Sequence, residues 1–177
     1  MKSNRLMGMI DIIIGPMFAG KTTELIRRIR RYEVANKSCL LVKYDRDLRY
    51  GTDLISTHDN QGLKAISTET LSEIDDKAKT YDVIGIDEGQ FFSDIVEFSE
   101  NMANDGKIII ISALSGTYRR ENFGRIPEIF PLAENITKLT AVCMDCKASA
   151  SFTTRISSSK ETELIGGKEH YKPVCRT

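Results

Sequence analysis

Apolar, β-branched runs recur along the chain, separated by stretches whose apolar residues return at helical spacing. Met9–Ile14, Cys39–Lys43, Tyr81–Ile86 and Lys107–Ser112 read as strands, and Leu139–Val142 offers a fifth. Thr22–Ala35, Glu69–Lys79 and Asp94–Asn104 read as helices, with Asp105-Gly106 as the C-cap of the last. Strands that are apolar throughout are covered on both faces. Their alternation with helices predicts an α/β fold around a parallel sheet. Right-handed crossovers then bring the strand ends to one edge.

After about Val142 the pattern stops. Ala148–Glu163 is rich in Ser, Thr and Ala, with neither a long apolar run nor a helical period, and Gly166-Gly167 follows. The expected organisation is a core over 1–142 and a small, partly β lobe over 143–177. So small a lobe needs something besides an apolar core to hold it.

Composition narrows the partners. Twenty-five Lys and Arg balance 25 Asp and Glu, so no basic excess points to nucleic acid. Met1–Gly8 carries charges but no apolar stretch of signal length, and no run suits a membrane span. The expectation is a cytoplasmic protein with free thiols and no membrane partner. Cys39, beside a strand, reads as a core residue.

Gly15-Pro16-Met17-Phe18-Ala19-Gly20-Lys21-Thr22 fits G-x-x-x-x-G-K-[ST] without mismatch, between a strand and a helix. Backbone N–H groups of such a loop cradle phosphates at the positive end of the helix. Lys21 would reach the β/γ-phosphates, and the Thr22 hydroxyl would ligate Mg²⁺. The alternative is a Gly-rich turn with a chance lysine.

The third strand ends in Asp87-Glu88-Gly89-Gln90-Phe91-Phe92. An acidic residue closing an apolar strand downstream of a phosphate loop matches the second magnesium motif. Asp87 would hold Mg²⁺ or its water, and Glu88, pointing elsewhere, would serve as a base on a substrate. A solvated strand end is the plainer reading of such a pair.

Four stretches together resemble the type II (cytosolic and poxvirus-like) thymidine kinases. They are Gly15–Leu25, Asp87–Phe92, Leu139–Cys146, and Leu164-Ile165-Gly166-Gly167 followed by Tyr171. The likeness runs from about Met9 to the last residue. It implies a RecA-like P-loop NTPase core with a small zinc-ribbon-like C-terminal lobe, typically in a homotetramer. It also implies transfer of the γ-phosphate of ATP to the 5′-hydroxyl of thymidine, with thymidine triphosphate (dTTP) as a possible feedback inhibitor.

Residue by residue, the resemblance makes Glu88 the base on the 5′-hydroxyl and Asp87 part of the magnesium shell. Thr23, Asp47, Arg49 and Gln90 join the phosphate loop in holding the nucleotide. Met17, Phe91, Leu114, Tyr118 and Phe123 line the thymine pocket, although each alone also suits a core. Thr162, Glu163, Leu164, Ile165 and Gly166, with Tyr171, correspond to a loop that holds thymidine through main-chain groups. Backbone hydrogen bonds of that kind discriminate strongly between bases. Without the resemblance, Gly166-Gly167 reads as a hairpin turn. Ser115 stands where the family usually has Asp, Tyr118 where it has Phe, and Thr22 where Ser is commoner.

Cys143-Met144-Asp145-Cys146 is a C-x₂-C pair of the kind that forms zinc half-sites, although redox motifs share it. Cys175 adds a third sulfur. In the family a further cysteine shortly beyond that position completes the set, and the sequence reaches Thr177. Either water or a weaker donor takes the fourth place, or the sequence has lost its natural end. His170 adjoins the substrate-loop tyrosine and is not expected to ligate. His58 reads as a loop residue. The competing classes are a P-loop ATPase without a small-molecule acceptor and a silent nucleotide-binding module.

Overall fold

The computed structural model describes residues 7–45, 54–56, 62–156, 167 and 169–176. β1 (Met9–Gly15) leads through the glycine-rich loop into α1 (Lys21–Val34), and β2 (Cys39–Tyr44) follows. Three short strands come next: β3 (Leu54–Ser56), β4 (Gly62–Lys64) and β5 (Ile66–Thr68). After a 3₁₀ turn and α2 (Asp75–Ala78) the chain runs β6 (Val83–Ile86), α3 (Ile95–Asn104), β7 (Ile108–Leu114), α4 (Ile126–Ile129) and β8 (Asn135–Lys138).

Six strands form one sheet in the order β5-β2-β6-β7-β1-β8, and every pairing in it is parallel. The period of two divides the strand residues between two cores. Ile12, Ile84, Ile86, Ile109 and Ile111 face α3 through Phe98 and Met102. Ile13, Leu41, Val83 and Ile110 face α1 through Leu25 and Ile29. At Gly85 a Cβ would meet Ile29 Cδ1 at 3.0 Å, so the glycine lets α1 lie close on the sheet. Arg28 fixes the direction of α1: Nη1 lies 2.6 Å from Asp11 on β1, Nε 2.8 Å from Glu24, and Nη2 donates to Thr137 on β8 at 3.0 Å.

The structure departs from the expected elements in three places. Glu69–Lys79 is not one helix. A 3₁₀ turn (Leu71–Ile74) precedes the single turn of α2, and the Asp94 carboxylate accepts from the N–H groups of Leu71 and Ser72. The last strand of the main sheet is β8 rather than Leu139–Val142. Its residues are largely exposed, as an edge strand permits, so it carries no apolar run to detect. Ala141–Val142 forms β9 and pairs instead with β10 (Ser149–Ala150). The short strands between 54 and 68 were not expected at all.

Beyond β9 lies a small lobe of two-stranded sheets, the second made by β11 (Phe152–Arg155) and β12 (Tyr171–Val174). Its buried centre is Ala141, Cys143 and Ala150, packed against Val174, Cys175 and Ala19 of the glycine-rich loop. Lobe and loop therefore share a core. Among the described residues no helix is long and apolar enough to cross a membrane.

Candidate active site

The loop after β1 turns through two left-handed residues, Phe18 at φ 64° and Gly20 at φ 80°. Gly20 is the N-cap of α1 and contributes no side-chain cap. The first turn of the helix thus meets an anion with no competing side-chain acceptor from that position. Lys21 is buried, and its Nζ donates to the Pro16 carbonyl at 2.9 Å, folding the ammonium back across the loop. Thr23, on the same first turn, is exposed.

Asp87 leaves β6 directly opposite that turn. Its N–H donates to Val42 O at 2.9 Å, and its carboxylate oxygens each lie 3.2 Å from Thr22 Oγ1. The Ser112 hydroxyl, on β7, donates to Asp87 Oδ1. A hydroxyl and a carboxylate this close form a hard oxygen donor pair suited to Mg²⁺.

Glu88 sits at φ 53°, ψ 45°, a left-handed conformation that costs a non-glycine residue free energy. There its carboxylate meets the Gln90 amide. Gln90 is 3 % exposed. Its Nε2 donates to Glu88 Oε2 at 2.6 Å, and its Oε1 accepts from the Leu114 N–H at 3.0 Å. Gln90 thus reaches the acidic pair's second member, with its amide engaged on both ends.

The aromatic residues gather in two groups. Phe91 stacks on Tyr44 at 5.3 Å between ring centroids and meets Phe123 edge-on at 5.5 Å. In the second group, the Arg155 guanidinium lies 4.0 Å from the Tyr118 ring centroid, and its Nη2 donates to the Tyr171 hydroxyl at 2.5 Å. Met17 bridges loop and lobe: its N–H donates to Thr153 Oγ1 at 2.9 Å. Asp47, Arg49, His58 and Thr162, Glu163, Leu164, Ile165 and Gly166 lie outside the described residues.

Within the lobe, the sulfurs of Cys143, Cys146 and Cys175 all lie within 4.8 Å of one another. Backbone N–H groups of Cys146 and Cys175 point at the Cys143 sulfur and bring its thiol down to about 6. Three converging sulfurs, one readily ionised, match the soft donor set that zinc takes. No His, Asp or Glu among the described residues joins them, His170 included.

Ser112, Tyr44, Thr153 and Arg155 were not singled out from the sequence. Ser112 did leave a signal, as the only polar side chain in the run Ile108–Ala113.

The family model for thymidine kinase matches residues 8–177. The chain is 58 % identical over 169 residues to a thymidine kinase of Sheeppox virus (strain KS-1), covering 96 % of this chain and 95 % of that protein. It is 53 % identical over 169 residues to the cytosolic thymidine kinase of Bos taurus, covering 96 % and 71 %. Against thymidine kinase 1 of Dictyostelium discoideum the figure is 52 % over 176 residues, covering 97 % and 78 %.

Proposed function

The chain belongs to the thymidine kinase family, enzymes that use ATP to phosphorylate thymidine, and from that premise we propose that Glu88 is the base that deprotonates the acceptor. The observation that carries this reading is the Gln90 amide, which holds the Glu88 carboxylate at 2.6 Å on the residue next to Asp87, itself hydrogen-bonded to Thr22.

ATP lies with its phosphates in the 15–22 loop, against the backbone N–H groups and Lys21. Thr22 Oγ1 and Asp87 would hold Mg²⁺, which when bound neutralises charge on the β- and γ-phosphates. The thymidine 5′-O–H gives its proton to Glu88. The 5′-oxygen then bonds to the γ-phosphorus as the bond to the β-bridging oxygen breaks, leaving dTMP and ADP. General-base help of this kind contributes about 10²–10⁴-fold, roughly 3–5 kcal/mol of barrier. Positioning and charge neutralisation supply the rest.

Phe91, Phe123 and Leu114 form one wall of the thymine pocket, with Tyr44 behind Phe91. Tyr118 and Tyr171, held by Arg155, form another, and Met17 faces the nucleoside from the loop. Asp47, Arg49 and the 162–166 segment complete the two sites, as the family resemblance implies. Cys143, Cys146 and Cys175 would hold a structural zinc in the 143–177 lobe. As the family resemblance implies, the protein works as a homotetramer with dTTP as feedback inhibitor, and the cytosolic relative from Bos taurus supports a cytoplasmic setting.

Incubation of the purified protein with Mg-ATP and each deoxynucleoside tests the proposal. dTMP and ADP should appear in equal amounts with thymidine. ADP release that ignores thymidine, with no dTMP, would overturn it.

A further inference from the structure

Ser112 is 1 % exposed in the middle of the sheet. Register sets it beside Ile13 of β1, while its neighbour Ile111 stands beside Ile86 of β6. Asp87 follows Ile86, so the next step along both strands brings Asp87 and Ser112 together. There the Ser112 hydroxyl hydrogen-bonds Asp87 Oδ1. Thr22 Oγ1 reaches both oxygens of the same carboxylate from the other side. Asp87 itself is 8 % exposed, so these two hydroxyls replace much of the water a carboxylate would otherwise hold.

A hydroxyl buried in an apolar strand loses hydration that only a partner restores, and alanine would occupy the same space without that cost. Core packing therefore gives no reason for serine here. The carboxylate gives one. A donor fixed on Oδ1 holds the carboxylate plane still. Asp87 so held accepts the Thr22 hydroxyl hydrogen, which leaves the lone pairs of Thr22 Oγ1 available to a cation.

We infer that Ser112 is a positioning residue for magnesium in this enzyme, acting through Asp87 on Thr22. The inference rests on the reading of Asp87 and Thr22 as the magnesium residues.

The test is calorimetric titration of ADP into the purified protein at a series of Mg²⁺ concentrations, and in excess EDTA, with melting temperature followed in parallel. For Ser112→Ala the apparent Mg²⁺ affinity of the ADP complex should fall about 3- to 10-fold, the differential share of a hydrogen bond to a charged group. Metal-free ADP affinity and thymidine affinity should stay unchanged. Ser112→Thr, or Ser112→Cys should the larger side chain not fold, should recover much of the loss. Unchanged Mg²⁺ dependence in Ser112→Ala, or an equal loss in EDTA, would overturn the inference. Asp87→Asn separates the two layers. If it leaves Mg²⁺ dependence intact, the reading of Asp87 fails and the inference with it. If it abolishes that dependence while Ser112→Ala does not, only the role of Ser112 fails.

Discussion

The backbone N–H of Met17, inside the phosphate loop, donates to the Thr153 hydroxyl on β11 at 2.9 Å. Ala19, two residues on, packs into the small core that contains Cys143. One short segment is thus fixed by the C-terminal lobe through a hydrogen bond and an apolar contact. Order in the sulfur-bearing lobe is thereby coupled to the loop proposed to hold the phosphates of ATP.

Thr153→Val keeps the shape of the side chain and removes the acceptor. A neutral hydrogen bond is worth about 0.5–1.5 kcal/mol, so KM for ATP should rise roughly 2- to 10-fold. Thr153→Ser should stay near the parent value. Steady-state kinetics with ATP varied at saturating thymidine checks both.

Gln90 accepts from Leu114 at one end of its amide and donates to Glu88 at the other. Gln90→Leu fills the space but frees the Glu88 carboxylate to leave its left-handed perch. Turnover should fall roughly 10- to 100-fold, approaching the ~10²-fold that an ångström's misplacement of a catalytic group can cost, with KM for ATP within about twofold. A kcat/KM split that fell on ATP binding instead would assign Gln90 to the nucleotide.

Zinc should copurify at about one per chain, since three converging thiolates form most of a structural site. Cys146→Ser should lower that content and the melting temperature together, measured by metal analysis and calorimetry. Because Ala19 lies against this core, the same variant should also weaken ATP binding.

Hydrogen bonds from Arg27, and further pairing with Arg28, hold the Glu24 carboxyl at about 2, well below its ordinary 4.5. A depressed carboxylate stabilises the fold above its unfolded value and loses that contribution as pH falls toward the folded one. The melting-temperature gap between the parent and Glu24→Gln should therefore be fully open at neutral pH, shrink below pH 4.5 and close near pH 2. With Arg27 56 % exposed, salt should narrow it as well.

The sheet was legible because its central strands are buried on both faces and spell themselves out in isoleucine and valine. The strand–loop–helix around Gly15–Thr22 and the meeting of Asp87 with Thr22 were legible because the motifs put fixed residue types at fixed points of a strand. β8 was missed for the opposite reason: an edge strand needs no apolar run, and Asn135–Lys138 has none. The Glu69–Lys79 stretch starts late, where Asp94 accepts from the N–H groups of Leu71 and Ser72, and breaks at Ile74, whose φ −109°, ψ 9° is not α-helical. Gln90, Thr153 and Arg155 act through partners that only the folded chain supplies. Spacing along the sequence carries no trace of the bonds that give them their places.

The proposed transfer depends on Glu88, and a rapid-quench experiment addresses that residue alone. Glu88→Gln, mixed with Mg-ATP and thymidine in a single turnover, should bind ATP with parent affinity and form dTMP about 10²–10⁴-fold more slowly. Rate constants within a few-fold of the parent's would contradict the assignment of Glu88 as the base.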